Sequence, residues 1–202
     1  MPKTVAERYQ ALILSGAVEH DRDQMALVER LDAILAALQD RRLQSKKSSL
    51  GWIFARGGKP DPVAGLYIWG GVGRGKTMLM DEFFELAPNV RKRRTHFHEF
   101  MADVHRRIAH FRKQLKAGEI KGDDPIPPVA REIAAEVRLL CFDEFSVTDI
   151  ADAMILGRLF ERLFEHGMTV VATSNVPPDA LYGNGLNRAL FLPFIDLIKD
   201  HM

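Results

Sequence analysis

The stretch that decides the fold is Gly70-Gly71-Val72-Gly73-Arg74-Gly75-Lys76-Thr77, which matches the phosphate-binding pattern G-x-x-x-x-G-K-[ST]. Residues 65–69 before it form a short apolar run that predicts a buried strand, and residues 77–85 after it have the apolar spacing of a helix. A chance glycine-rich turn could also join a strand to a helix. The Lys-Thr ending in this strand–turn–helix context favours a nucleotide site.

Each residue type in the motif has a chemical reason. Glycines allow a tight turn whose N–H groups point at phosphate oxygens, and the following helix adds the positive end of its dipole. We expect the ammonium of Lys76 to reach the β- and γ-phosphates and the hydroxyl of Thr77 to ligate Mg²⁺. The whole stretch from Gly70 to Thr77 is therefore predicted to bind the nucleotide.

A pair of carboxylates follows a second apolar run. Residues 139–144 have the form of a Walker B strand, in which four apolar residues precede Asp143 and Glu144. Asp143 is predicted to hold hydrated Mg²⁺, and Glu144 to orient or deprotonate the attacking water. Adjacent carboxylates at a strand end repel each other, and a nearby metal would offset that cost. The alternative interpretation is an ordinary Asp-Glu turn after a strand. The phosphate motif earlier in the chain favours the Walker B interpretation over it.

Two further polar residues are predicted to act on the phosphates. Asn175 follows the apolar run 168–173, where many ATPases place a residue that contacts water and the γ-phosphate, although Asn is also a common turn former. Arg188 could supply positive charge for phosphoryl transfer, projecting toward a neighbouring subunit's nucleotide. Arg158 and Arg162 are alternatives for that role, and each of the three could instead be a surface arginine.

Composition limits the class of protein. The 202 residues are 47% hydrophobic and 27% charged, which is typical of a soluble globular domain. The formal net charge of +1 gives no global attraction to nucleic acid or to an anionic membrane. Cys141 is the single cysteine and lies in an apolar run, so we expect a buried structural thiol. The sequence shows neither a membrane-length apolar run nor the order of a signal peptide, which favours a cytoplasmic location.

Strands alternate with helices along the chain, which predicts an α/β fold with a mostly parallel sheet. We divide the chain into a helical segment, residues 1–60, packed on a nucleotide-binding core, residues 61–202. Within the core, residues 95–100 are predicted as a strand and its end, with a helix from Met101, and residues 52–62 as an irregular connection. Three predicted functional segments follow strands: the phosphate motif, Asp143-Glu144 and Ser174-Asn175. Ligands of parallel sheets bind at the carboxyl ends of the strands.

Several segments together resemble a known family, the ZapE/AFG-type ATPases of the AAA+ superfamily. The similarity extends over nearly the whole chain and rests on the phosphate motif 70–77, on Thr95-His96-Phe97-His98-Glu99-Phe100-Met101, on residues 141–154 and on Ala172-Thr173-Ser174-Asn175. The segments around residue 97 and after Asp143 are the specific ones, because the phosphate motif alone occurs in many families.

The resemblance implies a three-layer P-loop NTPase fold in which helices flank a parallel sheet of order 5-1-4-3-2. It implies ATP and Mg²⁺ as cofactors, with Asn175 as the sensor-1 residue. Phe100 and Met101 would lie where such proteins often place a substrate-gripping loop, or would equally begin a packed helix. Family members are longer, so we expect the small C-terminal lid with its sensor-2 arginine to be missing from this chain, which ends within a predicted helix.

The resemblance also implies a function, namely Mg-dependent ATP hydrolysis that remodels or regulates a protein partner. Bacterial members are cell-division proteins, so the expected partner is FtsZ or another division-ring component. A homo-oligomeric ring and a peripheral contact with the inner face of the membrane would fit the family. Two alternatives stay open: a DNA-associated ATPase like the helicase loaders, suggested by the basic runs 41–47 and 91–94, and a nucleotide-binding scaffold with little turnover. The nearly neutral charge disfavours nucleic acid.

Overall fold

The computed structural model describes residues 3–48, 63–73, 75–88 and 91–202. Four parallel strands form one sheet in the order β1-β4-β3-β2. The strands are β1 Leu66–Trp69, β2 Lys92–His96, β3 Leu139–Asp143 and β4 Thr169–Ser174. Helices cover both faces of this sheet, and the predicted α/β class with a parallel sheet is therefore confirmed.

The strand order differs from the expected one in a single respect. The order 5-1-4-3-2 placed a fifth strand beside β1, whereas the described ranges contain four strands, with β1 at one edge and β2 at the other. The relative order of the four strands agrees with the expectation. Because all strands run the same way, the segments that leave β1, β3 and β4 emerge at one edge of the sheet.

Seven α-helices and two short 3₁₀ turns complete the described part of the chain. Side chains cap several of the helices: Thr4 Oγ1 accepts the Glu7 amide at 3.1 Å before α1, and Asp21 Oδ1 accepts the Asp23 amide at 2.7 Å before α2. The helices are α1 Val5–Leu14, α2 Arg22–Ser48, α3 Lys76–Leu86, α4 Phe97–Lys116, α5 Ile126–Glu136, α6 Ile150–Glu165 and α7 Leu192–His201, and the 3₁₀ turns are Pro178–Ala180 and Arg188–Leu190. None of these helices combines the length and apolar character needed to cross a membrane.

Strand alternation divides the core into two clusters, one on each face of the sheet. Leu139 and Cys141 face α1, α2 and α3, whereas Leu140 and Phe142 face α4 to α7. All residues of β4 and the apolar residues of β3 are buried, as expected of parallel strands covered on both faces. The two clusters hold the carboxyl ends of β3 and β4 in fixed register.

The first two helices pack on the same face as the helix that follows the phosphate motif. Val5, Tyr9 and Val28 are fully buried in the cluster that also contains buried residues of α3. Arg8 of α1 pairs with Glu82 of α3 at 2.6 Å. The N-terminal helices therefore contribute directly to the hydrophobic core beneath the predicted nucleotide site.

The predicted position of the second strand is wrong, because the strand lies earlier in the sequence. Thr95–Phe100 was predicted as a strand and its end, but β2 ends at His96 and α4 begins at Phe97 rather than at Met101. The basic residues at the start of β2 gave no apolar alternation, because β2 is an edge strand whose side chains are only partly buried. Phe100 and Met101 are 0% and 2% exposed, so they form a packed helix start and not a gripping loop.

Helix α2 extends to Ser48. The predicted irregular connection at residues 52–62 lies outside the described residues, as does Arg74 in the phosphate motif.

Candidate nucleotide site

A cleft of about 400 Å³ opens at the carboxyl ends of β1, β3 and β4. Parallel topology brings three segments that are far apart in sequence to this one edge: the glycine-rich loop, the turn after β3 and the turn after β4. The cleft is lined by, among others, Gly73, Gly75, Lys76, Thr77, Glu144 and Asn175. Asp143 and Arg188 are not among the residues that line it.

Two glycines of the loop between β1 and α3 have a left-handed backbone. Gly73 and Gly75 have φ angles of +81° and +73°, a left-handed conformation that glycine adopts without steric cost. Gly75 is the N-cap of α3, so the first amides of that helix open toward the cleft. A Cβ atom on Gly75 would lie 3.1 Å from Gln24 Nε2, because α2 packs against this loop.

The Lys76 ammonium joins the loop to the end of β4. Its Nζ donates to the carbonyls of Gly70 and Gly71, both at 2.7 Å, and to Asn175 Oδ1 at 3.3 Å. These contacts engage all three donors of the ammonium group. Phosphate oxygens would be stronger acceptors for the same protons, because they carry negative charge. The structure thus brings Lys76 and Asn175 together.

The turn after β3 directs Glu144 into the cleft. Glu144 has φ +54°, an unusual conformation for a residue with a side chain. This reversal of the backbone lets Phe145 return to the same core face as Phe142, where it is 1% exposed and its ring centroid lies 4.1 Å from that of Phe97. The buried phenylalanine anchors the turn, and the glutamate beside it is left exposed at the cleft.

Hydroxyl groups of β4 hold this turn in place. The Glu144 amide donates to Thr173 Oγ1 at 3.3 Å, and the Phe145 amide donates to the Thr173 carbonyl at 2.7 Å. The Ser174 hydroxyl donates to the Phe145 carbonyl at 2.8 Å. Thr173 and Ser174 also line the cleft, and sequence reasoning did not assign them a role. The sequence pattern that could have identified them is a pair of hydroxyl residues at the end of a strand, directly after apolar residues.

Asp143 is paired with an arginine that sequence reasoning placed in a basic patch. Arg94 Nε lies 2.7 Å from Asp143 Oδ2, and Arg94 NH2 lies 3.1 Å from Asp143 Oδ1. A third nitrogen of the same guanidinium binds Asp81 of α3. Burial lowers the pKa of Arg94, but the hydrogen bonds to Asp143 and Asp81 outweigh burial and leave that pKa above its ordinary value.

The other members of the basic run 91–94 are likewise engaged within the chain. Arg91 donates to a backbone carbonyl near the end of α5, and Lys92 donates to carbonyls at the C-terminus of α3. Arg93 pairs with Asp103 of α4 at 2.9 Å. Arg41, the first residue of the other basic run, donates to the Gly167 carbonyl at 2.8 Å. These contacts do not favour a DNA-binding stripe.

The three arginines considered for a role in a neighbouring site lie away from the cleft. Arg188 is half-buried, and its NH2 donates to the Asp179 carbonyl at 2.6 Å. Arg158 and Arg162 are exposed on α6, and each forms an ion pair with a nearby carboxylate. Within this one chain Arg188 folds back on the preceding 3₁₀ turn instead of projecting, and its role toward a second subunit stays a prediction.

The donor set fits a magnesium nucleotide. Left-handed glycines and a helix N-terminus offer amides to phosphate, Lys76 offers positive charge, and the Thr77 hydroxyl is exposed at the cleft. Hydroxyl and carboxylate oxygens are ligands that Mg²⁺ prefers, and Mg²⁺ commonly takes its remaining ligands from phosphates and water. Thr77 and Asp143 are the residues that could serve it, directly or through water.

Comparison with known proteins identifies relatives of this chain. The family model for the AFG1-like ATPases matches residues 3–202. The cell division protein ZapE of Escherichia coli strain K12 is 44% identical over 207 residues, which cover 98% of this chain and 52% of ZapE. The lactation elevated protein 1 homolog B of Danio rerio is 58% identical over 146 residues, which cover 71% of this chain and 29% of that protein. The chain thus spans about half the length of ZapE, or less than a third of the fish protein.

A solved structure shares the fold. The crystal structure of DnaI aligns with a TM-score of 0.53 and 17% sequence identity, over 92% of this chain and 84% of that one. At that identity the likeness concerns the fold alone. Because the family model covers nearly the whole sequence and ZapE is 44% identical over almost all of it, the chain belongs to the family of AFG1-like ATPases.

Proposed function

We propose that this chain binds ATP with Mg²⁺ in the cleft and hydrolyses it to remodel or regulate a protein partner. The observation that supports this most directly is the meeting of three segments at one sheet edge. Lys76 of the glycine-rich loop contacts Asn175 after β4, and Glu144 after β3 lines the same cleft. Each of these residues was assigned a part in phosphoryl transfer from the sequence alone.

Each residue has a separate task in the proposed reaction. The amides of residues 70–75 and the start of α3 bind the phosphates, and Lys76 exchanges its carbonyl partners for β- and γ-phosphate oxygens. When bound, Mg²⁺ would neutralise charge on those oxygens, held through Thr77 and Asp143. Asn175 orients the γ-phosphate or water, and Glu144 accepts the proton of the attacking water.

Glu144 is suited to act as the base because of its position. Its side chain is exposed at the cleft, while its backbone is fixed by Thr173 and by the buried ring of Phe145. A base on a rigid turn loses little entropy when it meets the water molecule, which is how positioning lowers a barrier. Arg188 would act on the site of a second subunit, as charge that stabilises the transition state.

The proposed partner is a protein of the division ring, with FtsZ as the first candidate. ZapE is named as a cell division protein, and its similarity to this chain covers 98% of this chain and 52% of ZapE. A homo-oligomeric assembly and a peripheral position at the membrane belong to the same proposal. We also propose that residues 1–60 form a helical unit that supports the core of residues 61–202, since α1 and α2 share a hydrophobic cluster with α3.

The proposal is tested by measuring nucleotide affinity and phosphate release for the wild type, Lys76→Ala and Glu144→Gln. We expect Lys76→Ala to lose nucleotide binding, because it removes the charge that meets the phosphates. We expect Glu144→Gln to bind nucleotide as tightly as wild type but to release phosphate at least 100-fold more slowly, as general-base catalysis contributes about that factor.

Matched controls exist on the surface of the protein. Lys116→Ala at the exposed end of α4 and Glu119→Gln in the following loop make the same chemical changes away from the cleft, and both should behave as wild type. Equal nucleotide affinity in wild type and Lys76→Ala would remove the assignment of the cleft. Tight binding with no measurable turnover in wild type would instead support a nucleotide-binding scaffold.

A further inference from the structure

The strand residue Arg94 makes contacts that the nucleotide motifs do not require. Its guanidinium binds both oxygens of Asp143, at 2.7 and 3.1 Å, and also binds Oδ1 of Asp81. Asp81 lies on α3, the helix that begins at Lys76. One cation therefore links the end of β3 to the helix that follows the phosphate loop.

The register of the sheet explains this arrangement. Arg94 is opposite Cys141 in the parallel pairing of β2 with β3, so its side chain and that of Asp143 lie on the same face, beneath α3. The exposed fractions are 19% for the Arg94 side chain and 15% for that of Asp143. Water competes weakly for a pair this well covered, so the two-point contact is well defined.

This contact conflicts with the binding of a metal at the same carboxylate. Both oxygens of Asp143 already accept hydrogen bonds from a cation, and Mg²⁺ would bring a second and larger positive charge to that group. Asp81 offers the guanidinium another carboxylate, and it is the more accessible one, with 56% of its side chain exposed. The arginine can therefore shift its contacts toward Asp81 without losing a charged partner.

We propose that Arg94 is a positioning residue that competes with Mg²⁺ for Asp143 and is transferred to Asp81 when the metal binds. The inference rests on the proposed function, since it assumes that Asp143 serves Mg²⁺ beside a bound nucleotide. Arg94 keeps the carboxylate neutralised and correctly oriented before the metal arrives. It thereby sets the Mg²⁺ concentration at which the site fills.

The test is a Mg²⁺ titration of the binding of a fluorescent ADP analogue to the full chain, which needs no turnover. Arg94→Gln removes the competing charge, so the Mg²⁺ concentration for half-maximal binding should fall by roughly tenfold. Asp81→Asn removes the alternative partner and leaves Arg94 committed to Asp143. In that variant the half-maximal Mg²⁺ concentration should rise several-fold, so the two substitutions move the same quantity in opposite directions.

Arg93→Gln is the matched control, because Arg93 is the preceding residue of β2 and pairs with Asp103 on the other face of the sheet. It should leave the Mg²⁺ midpoint unchanged. Equal midpoints in wild type, Arg94→Gln and Asp81→Asn, or shifts in the same direction, would overturn the inference. If Arg94→Gln shows no cooperative thermal unfolding, Asp81→Asn decides alone. Failure of wild type to bind the analogue at any Mg²⁺ concentration would instead identify the proposed function as the failing step, and the inference would fall with it.

Discussion

The amide of Glu144 donates a hydrogen bond to the hydroxyl of Thr173 at 3.3 Å, across the junction of β3 and β4. The same hydroxyl donates to the Phe142 carbonyl at 3.4 Å, so Thr173 contacts the residues on both sides of Asp143. Thr173 is 4% exposed, and water cannot readily replace it. The backbone of the predicted catalytic glutamate is thus fixed by a strand that lies nearly thirty residues further along the chain.

Replacement of Thr173 by Val should impair turnover more than nucleotide binding. The isosteric change leaves the Glu144 amide without its acceptor, at a cost of about 1 kcal/mol, and allows the turn to shift. We expect phosphate release to slow by about tenfold while affinity for nucleotide stays within twofold. Thr173→Ser restores the hydroxyl and should recover most of the activity. A loss of affinity as large as the loss of turnover would show that Thr173 supports the whole cleft and not Glu144 in particular.

The left-handed backbone conformation of Glu144 should lower the free energy of unfolding by a measurable amount. Glu144 has φ +54°, where a Cβ atom costs about 1–2 kcal/mol and glycine has no such cost. Glycine also gains entropy in the unfolded chain, which offsets part of the benefit. Glu144→Gly should therefore be more stable than Glu144→Ala by about 1 kcal/mol in urea denaturation. Equal stability of the two variants, or a less stable glycine variant, would contradict the observed turn.

Asp149 should be required for the start of α6, the helix that follows the Asp143-Glu144 turn. Its Oδ1 accepts the amides of Ala151 at 2.6 Å and Asp152 at 3.3 Å. Asp149→Ala should lower the free energy of unfolding by about 1 kcal/mol, whereas Asp149→Asn should retain most of the cap. Asp196→Ala, an exposed position within α7, makes the same change without a cap and should have little effect. Urea denaturation of the three variants provides the comparison.

Cys141 should be unreactive in the folded protein. Burial raises the pKa of its thiol to about 12, and the side chain is 0% exposed. Aromatic disulfide reagents attack the thiolate, so we expect no reaction at pH 8 until urea unfolds the chain. The single cysteine makes the signal unambiguous. Fast labelling of the native protein would show that β3 opens readily.

The raised pKa of the Cys141 thiol predicts that the stability of the protein falls at alkaline pH. The pKa of the thiol is higher in the folded chain than its ordinary value of 9.0, so the native state holds this proton more tightly. The contribution to stability is complete below about pH 9 and is lost as the pH rises toward about 12. Cys141→Ala should lack this alkaline dependence, although the smaller side chain lowers stability at every pH.

The sequence by itself determined the class of fold and the local parts of the site. Residues adjacent in the chain determine three local elements: the glycine-rich loop, the apolar strand ending in Asp143 and the helix after Lys76. Local sequence patterns therefore predict these elements without a structure. The contact of Lys76 with Asn175 could be anticipated as well, because parallel strands present their carboxyl ends at one edge.

Only the tertiary structure decided which partners these residues have. Arg94 belongs to a basic run that suggested an association with DNA, yet the pairing of β2 with β3 places it under α3 against Asp143. Thr173 acquires its contact with Glu144 only because β4 lies beside β3. Such contacts depend on strand register, which long-range packing sets and which no local period encodes. The predicted bounds of β2 were wrong for the same reason. Residues 92–96 form a strand because they pair at the edge of the sheet, and they have no apolar pattern of their own that would predict it.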